Sequence, residues 1–262
     1  MDTPSAPEER STDNTAYLRP PGLEFAMGVA LFGVIVLVFF LVQSAVFIQG
    51  VIDGSPDLTQ QGFSFSMLDD PALKERMAGF MLNGDLVAKA AAWSALIGAC
   101  LILISVLLWK RGATQGFLGL RTPTWRAMLA WTAIFIILGV LIESLSYLFP
   151  VFRTDFMAQV VESTGNMFLL YVGVGILAPL FEELLLRGLL YGSLRHILDQ
   201  HASVAISAGV FTMMHMQYSW AVMLLILPMG VVLGYARARS GSIWVPFVLH
   251  MLNNMASVAF PS

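Results

Sequence analysis

An all-α, polytopic integral membrane protein with about seven transmembrane helices is the fold class that the sequence predicts, and three observations carry it. Of 262 residues, 57% are hydrophobic and only 12% are charged, a balance far from that of soluble domains. The apolar residues collect in runs long enough to cross a hydrocarbon layer of about 30 Å. Short polar connections separate these runs. In lipid, backbone polar groups have no water to turn to, so such runs must pair them internally as helices.

Residues 1–22, "MDTPSAPEERSTDNTAYLRPPG", are rich in Pro, Ser, Thr and charge, and read as a disordered polar tail. The first apolar run, 25–52, is long enough to span and too long for a secretory signal. Residues 53–85 form a polar, acidic loop with an amphipathic piece around "PALKERMAGFML", and 86–109 make a second span. A third span, 127–149, ends at Pro150. After a polar connection comes a long fourth segment, 167–197, which Pro179 should kink or restart. The turn "LDQHA" leads to a fifth span at 203–217. A sixth covers 220–236, and after "ARARSGS" a seventh covers 243–259. The chain thus divides into the tail 1–22, two N-terminal helices with their acidic loop over 23–126, and a helical core over 127–262.

A net charge of −3, dispersed in short patches, gives no electrostatic footprint for nucleic acid. The single cysteine, Cys100, excludes an internal disulfide and, within an apolar run, reads as a small buried hydrophobe. Lys110, Arg111, Arg121 and Arg126 between spans two and three, Arg195 after span four, and Arg237 and Arg239 between spans six and seven all fall on one side of a seven-span arrangement. That side is expected to be cytoplasmic, with the N-terminus there and the C-terminus outside. The short loops point to a prokaryotic cell membrane.

Ionisable groups inside the apolar runs are unevenly placed. The first span has almost none, and the second has only Lys89, near enough to its end to snorkel. The last third holds Glu182, Glu183 and Arg187 in span four, His215 in span five, and His250, Asn253 and Asn254 in span seven. An ionised side chain at a helix centre costs about 2.5–3.5 kcal/mol, so such groups persist when they are paired or functional. The midpoint of Glu182 and His215 falls in the "LDQHA" turn, which puts both at roughly 25 Å from it in an antiparallel hairpin. His250 and Asn254 lie at roughly 15 and 20 Å from the same membrane face. Modest tilt brings the four to one level.

Faces sharpen the assignment. His250 and Asn254, at i and i+4, address one point, and Phe211, one turn before His215, can wall it. Glu182 and Glu183 are about 100° apart, so they do not face one centre equally. Glu183 has Arg187 at i+4, a spacing that favours a neutralising ion pair. Glu182 is left for the shared pocket, where it suits a general base for water. Taken singly, each group has a plain structural explanation. A Glu–Arg pair locks a helix, a buried histidine satisfies a core, His196 and His201 flank a turn as solvated surface, Asn253 packs helices, and the Met residues of "TMMHM" fill core or face lipid. Together, an acid, two imidazoles and a carboxamide at one depth are harder to treat as independent.

The motifs "EELLLR" at 182–187, "FTMMH" at 211–215 and "HMLNN" at 250–254 resemble the EExxxR, FxxxH and HxxxN motifs of the CPBP intramembrane protease family, which includes CAAX prenyl endopeptidases and bacterial proteins linked to bacteriocin self-immunity. The likeness extends over roughly 127–262. It implies an endopeptidase in which Glu182 and His215 activate water and His250 and Asn254 stabilise the oxyanion, with Glu183, Arg187 and Phe211 in support. Zinc held by Glu182, His215, His250 and Asn254 is compatible with the family, which has been described both as metallo- and as glutamate-dependent. Asn is an uncommon zinc ligand, however, and an HExxH pair is lacking. The implied partner is a peptide or membrane-protein substrate within the lipid bilayer. Two other classes remain open: an ion- or proton-coupled transporter, and a catalytically silent binding or immunity protein.

Overall fold

The computed structural model describes residues 19–62 and 64–261, and every regular element among them is helical. Seven helices dominate: α1 Pro21–Asp53, α2 Gly84–Lys110, α3 Trp125–Leu148, α4 Met167–Leu194, α5 Gln200–Met213, α6 Trp220–Ser240 and α7 Trp244–Ala259. Their starts follow local chemistry. Asn83, Thr124, Asp199 and Ser219 each accept a hydrogen bond from a backbone N–H in the first turn of the helix they precede. Gly241, at φ 67°, ends α6 in the left-handed conformation that lacks a Cβ penalty.

Five of the seven, α1, α2, α3, α4 and α6, are long and apolar enough to cross a membrane, so the protein is multi-pass. The other two expected spans are helical but shorter. With 14 and 16 residues, α5 and α7 reach about 21 and 24 Å at 1.5 Å per residue. Of the expected tail, residues 1–18 lie outside the described residues, while Pro21 and Gly22 already begin α1.

Helix α4 is the axis of the bundle. Its stretch from Leu184 to Leu190 is buried on every side, Arg187 included. Ile35 of α1 and Ala95, Ala99, Ile102 and Val106 of α2 pack on one flank, and Phe211, Leu233 and Leu249 of α5, α6 and α7 on the other. By contrast α3 lies outermost, with Ile136, Ile137 and Val140 exposed where lipid would meet them. Cys100 is exposed on α2 rather than buried. An apolar neighbourhood in sequence does not imply burial when the surrounding medium is itself apolar.

Contact between α2 and α4 depends on small residues, as is usual between helices in lipid. A Cβ on Gly98 would stand 2.4 Å from the Phe181 ring, which is fully buried and stacked on Phe39 at 4.6 Å. Gly98→Val is therefore expected to destabilise the bundle by about 1–3 kcal/mol through overpacking. An unchanged thermal unfolding midpoint in detergent would show that Phe181 yields instead.

Pro179 does not break α4. The helix runs on through it, and the backbone from Tyr171 to Leu177 widens into a π-helical stretch. A wider turn relieves the clash between a proline ring and the preceding turn. A second π-helical stretch covers Leu184–Leu190.

The helix ends sort by charge. At one face Lys110 pairs with Glu24 at the start of α1 and approaches His196 just beyond α4, Ser242 Oγ donates to the Arg121 carbonyl at 2.6 Å, and Ile243 N donates to the Gly119 carbonyl at 2.8 Å. His196 is half-buried beside Phe117, not simply solvated. Burial and the Lys110 charge hold its pKa below the ordinary histidine value. At the opposite face lie the acidic loop, with the Asp57–Arg76 ion pair at 2.8 Å, and Asp85, which accepts from the backbone of Gly165 and Asn166.

Candidate active site

Glu182, Glu183 and Arg187 project from the middle of α4. The side chains of Glu183 and Arg187 are 0% exposed and joined at 3.0 Å. Arg187 also donates to the Gly230 carbonyl of α6 at 3.0 Å and lies 4.6 Å above the Phe211 ring. Glu183 has a second partner. Its Oε1 accepts from Nδ1 of His250 at 3.0 Å, so the ion pair also orients an imidazole 67 residues away. A carboxylate only accepts, which makes Nδ1 the protonated nitrogen and leaves Nε2 for other work. That Nε2 stands 4.0 Å from Oε2 of Glu182. The His250 ring therefore sits between the two glutamates and addresses one with each nitrogen.

Glu182 faces a cavity of about 880 Å³ inside the bundle, and Phe211, His215, His250 and Asn254 line it as well. The Oε2 atom of Glu182 is buried without a hydrogen-bond partner among the described residues. His215 lies beyond the end of α5, in the turn that follows, not within a span. There its Nδ1 meets the Phe211 carbonyl at 2.8 Å, one of the free carbonyls at a helix C-terminus. A carbonyl can only accept, so Nδ1 carries the proton and Nε2 is the basic nitrogen. The Phe211 ring contacts both imidazoles, with centroids 4.7 Å from His215 and 5.3 Å from His250.

Asn254 is held by the distortion of α4. At the π-helical turn the Ala178 N–H reaches back to the Gly173 carbonyl. The next residue, Pro179, has no N–H to offer Val174. Asn254 Nδ2 donates to that Val174 carbonyl at 3.0 Å. The proline thus creates an acceptor that fixes the carboxamide, and the second amide hydrogen is left for the cavity.

Asn253 was expected to pack between helices but lines the cavity beside Asn254. Other lining residues escaped the sequence reading, among them Gln43 and Ser44 on α1, and Tyr218 in the connection after α5. The first two are an uncharged polar step inside an apolar run, which is the one signal that could have found them. Burial, reinforced by the charge of Glu182, pushes Tyr218 up to about 12, so its hydroxyl keeps its proton as a donor.

The donor set does not fit zinc well. Among the described residues no three His, Cys, Asp or Glu side chains group as metal ligands. The fourth candidate, Asn254, is of a residue type that rarely binds zinc.

Comparisons with known proteins bear on this arrangement. Residues 164–256 match the family model described as Type II CAAX prenyl endopeptidase Rce1-like. The chain is 31% identical over 159 residues to UPF0177 protein YajF of Lactococcus lactis subsp. lactis (strain IL1403), covering 56% of this chain and 74% of that relative. No solved structure matches the chain. The matched segment contains Glu182, His215, His250 and Asn254 and the Glu183–Arg187 pair.

Proposed function

We propose, from the premise that this chain belongs to the CPBP family of intramembrane proteases, that it is an endopeptidase hydrolysing a peptide bond inside the bundle, with Glu182 as general base. One observation carries this reading: Glu182, His215, His250 and Asn254 line a single cavity, and of the two adjacent glutamates only Glu182 lines it, whereas Glu183 is engaged by Arg187 and His250.

Glu182 removes a proton from water while His215 Nε2 accepts the water's other hydrogen and aims its lone pair. The oxygen attacks the peptide carbonyl carbon, and the electron pair moves onto the carbonyl oxygen. The free amide hydrogen of Asn254 faces that oxyanion, as does His250 Nε2 when protonated, and the Tyr218 hydroxyl is a further donor at the same cavity. Fixed donors in a site of low dielectric stabilise such charge far better than mobile water does. Glu182 then returns its proton to the amide nitrogen as the C–N bond breaks, releasing a carboxylic acid and an amine. Glu183 and Arg187 take no proton; they hold the His250 ring.

A transporter would also place charge in a membrane, but transport gives no reason for two imidazoles, each with one nitrogen engaged and the other left for a shared cavity. The reading is tested with purified protein in detergent and a library of apolar peptides followed by mass spectrometry. Wild type is expected to generate new termini, and His215→Ala to generate them about 10²–10⁴-fold more slowly. Equal rates would remove His215 from the mechanism, and no cleavage by wild type would overturn the protease reading.

A further inference from the structure

The cavity is not open equally to both sides. Its lining includes Met77 and Met81 at the end of the Pro71–Phe80 helix in the acidic loop, and Thr154 and Phe156 from the connection between α3 and α4. From that mouth it descends past the start of α2 and the C-terminal ends of α5 and α7 to Glu182 on α4 and Leu233 on α6. Among the described residues none of its lining comes from the opposite face, where Lys110, Arg111, Arg121, Arg126, Arg195, Arg237 and Arg239 collect. Contacts of Lys110 with Glu24 and His196, and of Ser242 with Arg121, tie those basic ends to one another, so they lie at one membrane face. Short basic loops are retained in the cytoplasm.

The chemistry of the wall narrows the occupant. Glu182 is the one lining residue that carries a fixed charge, and no Lys, Arg or Asp lines the cavity among the described residues. A C-terminal carboxylate would find no cation to hold it. Met77, Met81, Met157, Met214 and Met229 line the space together with aromatic rings. Methionine adapts its shape to apolar partners of varied outline.

We infer that the substrate is an uncharged, apolar stretch internal to a peptide or membrane protein, and that it enters from the extracytoplasmic face rather than as a cytosolic chain end. This rests on the protease reading above and specifies what that protease cuts. The structure leads a strand of substrate past the mouth at Met81 toward Glu182, with no charged group to satisfy on the way.

Two measurements on the full-length protein test it. In a Cys100→Ser background, Met81→Cys and Gly112→Cys mark the cavity mouth and the basic face. On intact cells a membrane-impermeant maleimide is expected to label Met81→Cys and to reach Gly112→Cys only after permeabilisation. The reverse pattern overturns the assigned face, whatever the chemistry of Glu182. For substrate class, an internally quenched peptide with an uncharged apolar core is compared in detergent with the same core carrying one aspartate. The charged version is expected to be cleaved about tenfold more slowly or worse, because an unpaired charge is costly to desolvate. Equal cleavage overturns the apolar preference, whereas no cleavage of either peptide, with both faces accessible in detergent, counts against the protease reading itself.

Discussion

Glu183→Ala is expected to cost about 3–5 kcal/mol of stability, because it strands the Arg187 guanidinium in the centre of the bundle without its counter-charge. Both side chains are wholly buried and joined at 3.0 Å, and the remaining contacts of Arg187 are a carbonyl and an aromatic ring. Neither neutralises a cation. The unfolding midpoint in detergent measures the loss, and a wild-type midpoint would contradict the assignment. The double variant Glu183→Leu with Arg187→Met removes both charges together, and buried pairs replaced in this way often keep their stability or gain some. It is expected to recover much of the midpoint. It is not expected to recover activity, since His250 Nδ1 loses the acceptor that orients its ring. Recovery of both would mean that His250 needs no support from Glu183.

Glu182→Gln is expected to separate the two properties in the opposite sense. The substitution preserves shape, and the Oε2 atom that changes has no hydrogen-bond partner among the described residues. Stability should therefore change by about 1 kcal/mol or less, because side-chain volume is kept and no hydrogen bond of Oε2 is lost. Turnover should fall by about 10²–10⁴-fold, the range for loss of a positioned general base. A parallel measurement of kcat and unfolding midpoint on one preparation checks both parts. Loss of the midpoint together with kcat would mean that Glu182 is structural.

Much of this site was legible in the sequence because a membrane makes polar groups conspicuous. Glu182, Glu183, Arg187, His215 and His250 stand out in apolar runs, and the i, i+4 spacing is enough to pair Glu183 with Arg187. The depth argument brought Glu182, His215, His250 and Asn254 to one level, and all four line one cavity. Helical spacing was less informative about Glu183. The angle between the two glutamates suggested that one must serve the pocket and the other the lock, yet His250 reaches both because its two nitrogens point in different directions.

Other features carry no signal in a simple helical pattern. The π-helical turns of α4 shift every later side chain around its axis, and the free Val174 carbonyl that holds Asn254 arises from the first of them together with Pro179. Asn253 reaches the cavity although it is one residue out of phase with His250 and Asn254. The parts played by α1 and α2 were hidden because Gln43 and Ser44 carry no charge, and their neighbours on the cavity wall are ordinary aromatic and aliphatic residues. Cys100 shows the general difficulty: hydropathy locates a residue in the membrane but does not say whether it faces protein or lipid.

The most direct test of the central claim, that Glu182 performs peptide hydrolysis within the bundle, is a quantitative survey of peptide termini in membranes carrying wild type or Glu182→Gln at matched abundance. The expected result is a set of new termini within apolar segments that is present with wild type and absent with the variant. Indistinguishable sets of termini, from two proteins equally well inserted, would contradict the role assigned to Glu182.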